Sequence, residues 1–307
     1  MTTRPALVAM LGATASGKTA AAVAIARRLP VEVVSADSRQ LRRGMRVGTA
    51  APTDEELATV PHHFVGCVEP DAHWTLADFL EGARAALDGI WSRGRIPLLA
   101  GGTGQYVWAL LEGWQVPVVP PDPARRAALE REAEQRGLEP LVERLRALDP
   151  ATAVRVDARN PRRVIRALEI VETTGEPVPP LRREPPEWEW TAFGLRWPRA
   201  ALHRRADARV ERMYASGLME ETRALIERYG PDVEPLRSMG YAEAARVLSG
   251  ALTVEEAVER TKIETHRLIR MQHAWFRDDD PRIRWLDGAD IEGVASAVES
   301  VLGASVR

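Results

Sequence analysis

The pattern opens on Ala6 to Leu11, an unbroken apolar run of strand length that feeds a glycine-containing loop. Thr19 to Leu29 follows with alanine-rich helical composition and Val23 and Ile25 inside it, so the segment reads strand, loop, helix. Val31 to Ser35 is a second strand, ended by Ala36-Asp37-Ser38. Ile96 to Ala100 is a third, ended by Gly101-Gly102-Thr103-Gly104, and Trp74 to Trp91 lies between them as a helix. Strands alternating with helices predict a parallel, doubly wound sheet with ligands beyond the carboxyl ends of its strands, where all three loops fall.

Two proline-rich stretches then interrupt the pattern, Val116 to Pro123 and Glu176 to Pro186. Between them Ala124 to Thr174 carries no strand pattern and reads as several helices, while Phe193 to Trp197 returns the chain to the sheet. The expected division is a core of residues 1–116 and 187–307 and a helical insertion at residues 117–186. Arg199 to Leu302 reads as predominantly helical, with a start signal at Thr253-Val254-Glu255-Glu256 and a break at Asp278 to Pro281. No internal repeat is present.

Composition changes this picture little. A chain of 307 residues, 45% hydrophobic and 28% charged, can bury one large core and a smaller second unit. No apolar run approaches the roughly 20 residues that span a bilayer, and no apolar signal core precedes the first strand, so no membrane association and a cytoplasmic location are expected. Cys67 is the only cysteine, which excludes an internal disulfide framework and a multi-cysteine zinc site; its neighbours Phe64, Val65 and Val68 suggest a buried thiol. The net charge of −2 means that any RNA binding must come from local patches. Of 42 Lys plus Arg, only Lys18 and Lys262 are lysine, which marks them as candidates for chemistry that a planar guanidinium does not perform.

Gly12-Ala13-Thr14-Ala15-Ser16-Gly17-Lys18-Thr19 fits the phosphate-loop pattern of Gly, four residues, Gly-Lys-Thr, and sits between strand and helix as the mechanism requires. Its amides converge on phosphate oxygens, the helix N-terminus adds its dipole, Lys18 supplies a mobile charge, and the Thr19 hydroxyl is suited to Mg²⁺. The expected fold is therefore α/β, a P-loop parallel sheet core flanked by helices with a helical insertion domain. The second signal of a nucleotide hydrolase, an apolar strand ending in a metal-holding aspartate, is missing, because Ile96 to Ala100 ends in glycines. The first carboxylate at the ligand edge is Asp37, a candidate base or metal ligand together with Thr19, or else a helix cap.

These residues carry a resemblance. Gly12 to Thr19, Ser35-Ala36-Asp37-Ser38-Arg39-Gln40, Gly48-Thr49-Ala50, Pro61-His62-His63, Gly101 to Tyr106, Asn160-Pro161-Arg162-Arg163-Val164-Ile165-Arg166-Ala167-Leu168-Glu169, Thr174 to Pro177, Met239-Gly240-Tyr241 and Thr265 through Gln272 to Trp275-Phe276 resemble, in order, the tRNA dimethylallyltransferase family. The resemblance covers essentially the whole chain. It implies transfer of a five-carbon group from dimethylallyl diphosphate to N6 of the adenosine 3′-adjacent to a tRNA anticodon. Asp37 would then take the N6 proton, Lys18, Thr19 and the loop amides with Mg²⁺ would stabilise the leaving diphosphate, and the adenosine would be flipped into the site beside Ser38, Gln40 and Thr103.

The same resemblance makes Asn160, Pro161, Arg162, Arg163, Val164 and Arg166 a tRNA-contact segment, extended by Arg125 and Arg126. Helical spacing sets Arg159, Arg162, Arg163 and Arg166 on one broad face, which charge alone leaves open as a solvated face. Arg205 and Arg209, spaced i, i+4 among His203, Arg204 and Arg212, reach the diphosphate or anticodon loop, or pair with Asp207 and Glu211. Lys262 is a candidate phosphate contact, against an exposed helix position. His62 and His63 lack the partners of a metal site and read as loop or pocket residues, and Trp188 and Trp190 read as packing against the second proline-rich stretch, which looks like a hinge. Ala13, Leu41-Arg42, Ala51, His266 and Met271 depart from the family pattern, none of them at Lys18, Thr19 or Asp37, so the expected activity stands while tRNA contacts near residues 41–51 and 266–271 are less firmly implied. A monomer is expected. A small-molecule P-loop kinase and a nucleotide-dependent RNA-binding protein are the rival readings.

Overall fold

The computed structural model of the chain describes residues 6–117, 119 and 122–305. Two compact units partition it, Met1–Gly113 with Pro185–Arg307, and Trp114–Glu184. The helical unit thus begins at Trp114 where the prolines suggest 117, and ends at Glu184 where they suggest 186.

The larger unit is built on a six-stranded sheet of β1 (Ala6–Leu11), β2 (Val31–Ala36), β3 (His62–His63), β4 (Ile96–Gly101), β7 (Glu189–Arg196) and β8 (Ile283–Asp287), in the order β3-β2-β4-β1-β7-β8. Every pairing is parallel, with Val8 opposite Leu98 and Thr191. A parallel sheet is covered on both faces, which is why β1 and β2 are apolar almost throughout. Val8, Met10, Val33 and Leu98 form one core with α1 (Lys18–Ala26) and α13 (Ile291–Ser305), and the alternate positions Ala9, Val34 and Leu99 are buried on the other face. The β2–β4 connection runs through α2 (Asp54–Thr59) and α3 (Leu76–Ser92); β4 is followed by α4 (Gly104–Leu111). A helical layer follows β7: α9 (Arg199–Ala215), α10 (Leu218–Tyr229), α11 (Tyr241–Leu248) and α12 (Val254–Trp275), the last opened by a capping box of Thr253 and Glu256.

The smaller unit pairs β5 (Trp114–Gln115) with β6 (Arg182–Arg183) antiparallel and otherwise consists of α5 (Pro123–Arg136), α6 (Glu139–Leu148), α7 (Pro150–Arg155) and α8 (Pro161–Thr174). Proline falls in the first turn of all four helices, where its missing N–H is no loss, and the side chains of Asp122, Asp149 and Asn160 cap α5, α7 and α8. Leu129, Leu141, Leu145, Val164 and Leu168 form its core.

The segment after Arg199 is predominantly helical as expected, with one strand, Ile283–Asp287, joining the sheet as β8 just after the break at Asp278 to Pro281. Two expectations need correction. The Cys67 thiol is exposed, because Phe64 turns instead toward Trp74 and Phe79. Arg159 precedes α8, so its side chain pairs with Asp157 and does not share the face of Arg162 and Arg163. Trp190 lies within β7 against Trp108, and Trp188 packs on Trp91.

Candidate active site

Gly12 to Thr19 joins β1 to α1. Gly17, the residue before the helix, stands at φ 102°, a region that L side chains rarely adopt. Lys18 opens α1 and folds back so that Nζ donates to the carbonyls of Gly12 and Ala13, each at 2.9 Å. Thr14, Ala15, Gly17, Lys18 and Thr19 line a cleft of about 580 Å³ at the carboxyl edge of the sheet, while Gly12, Ala13 and Ser16 are buried beneath it.

The loop is held from outside by two helices and a tryptophan. Thr14 N donates to Gln272 Oε1 at 2.8 Å, and Gln272 Nε2 donates to the carbonyl of Gly102 at 3.1 Å, so one amide on α12 ties the phosphate loop to the loop after β4. Trp197 Nε1 donates to the carbonyl of Ser16 and Arg205 Nε to that of Ala15, with the Arg205 guanidinium 4.2 Å from the Trp197 ring centre. Sequence reasoning gave Gln272 no role. The available signal was a glutamine on the buried stripe of α12, in step with Thr261, Thr265 and Ile269.

Asp37 follows β2 and lines the same cleft. Its Oδ1 accepts from Arg39 N at 3.0 Å and Gln40 N at 3.4 Å, and Oδ2 has no hydrogen-bond partner among the described residues. The turn starts no helix, so Asp37 is not a helix cap. Thr103 fixes the turn from the neighbouring strand: its Oγ1 accepts from Ser38 N and donates to Ser38 Oγ, and its own N–H donates to the carbonyl of Ala36.

Arg39 and Arg209 are enclosed around this carboxylate. Arg39 donates to the carbonyls of Gly48 and Met239, Arg209 to that of Thr49, and Gln40 Nε2 to that of Ala50, so all three side chains engage residues 48–50. Burial pushes the Arg209 guanidinium down to about 10, against the pull of Asp37. Burial likewise lowers the Lys18 ammonium to about 8, opposed by Asp37 and reinforced by Arg209. Two partly buried cations are therefore held beside one carboxylate, an arrangement that an incoming anion relieves.

Among the described residues no three His, Cys, Asp or Glu side chains come together as a metal cluster. The oxygen donors present, the Thr19 hydroxyl and the Asp37 carboxylate, suit Mg²⁺, which takes one or two carboxylates with water and phosphate oxygens for the rest. His62 lines the cleft, with Nδ1 at 2.8 Å from the carbonyl of Val60, and His63 pairs with Glu32.

In the helical unit the arginines divide. Arg126 meets the buried Glu169 with two bonds, 2.7 and 3.1 Å, and Arg166 also reaches Glu169 and donates to the carbonyl of Val119. Arg125 lies 3.6 Å from Asp122 and 3.7 Å from Glu172. Arg162 and Arg163, in the first turn of α8, are exposed and form no ion pair among the described residues. Asn160 caps that turn, Pro161 opens it and Val164 is buried in the core.

Lys262 is occupied: its ammonium lies 2.7 Å from Glu259 and 2.9 Å from Glu211, which raise its pKa and leave it no free charge for a phosphate. His266, one of the departures from the family pattern, pairs with Asp207 and stacks on His203 at 4.0 Å.

A family model described as IPP transferase matches residues 40–279, and one described as isopentenyl transferase matches residues 5–66. The tRNA dimethylallyltransferase of Roseiflexus castenholzii is 48% identical over 88% of this chain and 89% of its own length. That of Thermomicrobium roseum is 45% identical over 94% and 88%. Among solved structures, the tRNA isopentenylpyrophosphate transferase of Bacillus halodurans aligns with a TM-score of 0.71 and 34% identity, covering 99% of this chain and 98% of that one. The motifs met in the sequence and these matches span the same length of chain, which belongs to the IPP transferase family.

Proposed function

We propose that this protein transfers the dimethylallyl group of dimethylallyl diphosphate to N6 of the adenosine 3′-adjacent to the anticodon in tRNA, releasing diphosphate. The observation that carries the reading is Asp37: one carboxylate oxygen held by two amides, the other free, in the cleft of a phosphate loop.

The adenosine N6 lone pair is delocalised into the purine, so N6 attacks weakly unless its proton is removed as the new bond forms. In the transfer, the bond from N6 to the allylic carbon forms, the bond from that carbon to the diphosphate oxygen breaks, and the N6 proton passes to Asp37 Oδ2. Lys18, Thr19, the loop amides and Arg209 receive the charge that develops on the diphosphate, without reorganisation, because the loop is already clamped by Gln272, Trp197 and Arg205. Thr19 and Asp37 would hold Mg²⁺, which when bound would supply further charge neutralisation at the leaving group.

An adenine stacked in an anticodon loop does not present N6 to such a cleft, so the nucleotide is flipped into it. Gln40 engages Ala50 through Nε2, leaving Oε1 to accept from the base. Ser38 Oγ accepts from Thr103 and remains free to donate. Arg162 and Arg163 grip phosphates of the anticodon stem-loop; Arg126 and Arg166 belong to their own fold, and Lys262 is withdrawn from the tRNA contacts. The chain acts as a monomer in the cytoplasm, where its tRNA is.

The test incubates the protein with unmodified tRNA, Mg²⁺ and labelled dimethylallyl diphosphate, and digests the RNA. Labelled N6-alkylated adenosine is expected, with Asp37→Asn slower by about 10² to 10⁴ in kcat. Absence of label from the tRNA, or an Asp37→Asn variant as fast as the parent, sinks the reading.

A further inference from the structure

The loop of residues 46–50 is the shared support of the groups around Asp37, and it is itself held by one side chain outside the cleft. Glu221, on α10, accepts from three consecutive backbone amides: Oε2 from Arg46 N and Val47 N, each at 2.8 Å, and Oε1 from Gly48 N at 3.0 Å. A fourth donor, the Tyr241 hydroxyl, reaches Oε1 at 2.5 Å. Three successive amides turned toward one point form an anion-binding concavity, filled here by the chain's own carboxylate.

The loop cannot drift toward or away from its support. A Cβ on Gly48 would stand 2.5 Å from the ring of Tyr241, which is fully buried, so the backbone lies directly on that ring. Burial first, and the Glu221 carboxylate second, push the Tyr241 phenol well above its ordinary value, so it remains a donor. With its amides engaged by Glu221, the loop presents its carbonyls elsewhere: Gly48 O to Arg39, Thr49 O to Arg209, Ala50 O to Gln40. Ala50 and Pro52 then line the cleft.

We propose that Glu221 is a positioning residue of the transfer reaction: by gathering the amides of residues 46–48 it fixes the carbonyls that orient Arg39, Gln40 and Arg209 about Asp37. This rests on the proposed function. Displacing these groups by an ångström is expected to cost catalysis more than binding, because their alignment matters most where charge develops.

The test compares wild type, Glu221→Gln, Gln40→Ala and the double variant in steady-state alkylation of unmodified tRNA, at a temperature where circular dichroism shows each folded. Glutamine keeps the length of the side chain but replaces an acceptor with an NH₂ group that opposes the amides. The expected result is a loss in kcat of up to about 10²-fold with both KM values moved less. Amides 46–48 exchange faster with solvent, and the double variant loses less than the product of the single losses, since both changes release one loop. A lowered melting temperature with kcat unchanged, or losses that simply multiply, would overturn the inference. Tyr241→Phe removes one of the four bonds and serves if Glu221→Gln does not fold: kcat falls several-fold in the same direction, and an unchanged kcat overturns the proposal. Wild type that yields no alkylated adenosine defeats the proposed function and this inference with it; an active wild type matched by Glu221→Gln defeats this inference alone.

Discussion

Arg39 and Arg209, in the α/β unit, are enclosed beside Asp37 and bonded to carbonyls, whereas Arg162 and Arg163, in the helical unit, stand exposed at the first turn of α8 without an ion pair among the described residues. A third pair, Arg126 and Arg166, is committed to the buried carboxylate of Glu169. Equal charge thus does three things in one chain. In the cleft a partly buried guanidinium fixed by carbonyls is oriented before the ligand arrives and shares one neighbouring carboxylate with other cations. Against a buried carboxylate it is neutralised and serves packing. On a solvated helix end it is free to meet a phosphate but is screened by salt. Proximity in sequence does not separate these cases: Arg163 and Arg166 sit one helical turn apart and fall on different sides of the division.

The sharpest way to break this comparison is at Arg209. Arg209→Ala removes an oriented cation from the cleft, and kcat/KM for the donor diphosphate should fall by roughly 10²-fold, measured by labelled transfer at saturating tRNA. An equal effect from Arg162→Ala would erase the difference between the cleft arginines and the exposed ones. Next in size is Arg126→Met, which leaves the buried Glu169 with Arg166 alone. Thermal unfolding should show a loss of about 2 kcal/mol, with kcat per folded molecule unchanged.

The exposed pair is probed by Arg162→Ala with Arg163→Ala. The KM for tRNA should rise about tenfold, and the slope of log affinity against log salt should shrink by about 1.5, while the KM for the donor stays constant. The smallest and most specific effect concerns Lys18. Because its folded pKa lies near 8, the donor-free loop loses its ammonium as pH rises through that value. The kcat/KM for the donor should therefore decline above about pH 8 by up to roughly tenfold per unit. The same lowering means that the unfolded chain binds more protons between about 8 and 10.5, so folding stability should increase with pH across that window, and Lys18→Met should abolish the rise.

The phosphate loop, Asp37, four strands of the sheet (β1, β2, β4 and β7) and the helical segment between the prolines were legible in the sequence, because each rests on local pattern: strand then glycine loop then helix, or proline at the start of a helix. β8 was missed, because Ile283–Asp287 is too short and too mixed in polarity to show a period. Gln272 and Glu221 were missed for another reason. Each acts on backbone amides far away in the chain, Thr14 in one case and Arg46 to Gly48 in the other, and a polar residue on a helix announces no such partner. Cys67 shows the converse failure, apolar neighbours in sequence that turn away from it in space.

What the sequence determined by itself is the reacting centre, since a loop that cradles phosphate and the carboxylate after the next strand need only a few residues of correct type and spacing. Which cations serve that centre, and which merely hold the protein together, was decided only by the tertiary structure. The reason is physical: the worth of a charge depends on the partner and the dielectric around it, and both are supplied by residues that the chain order keeps apart.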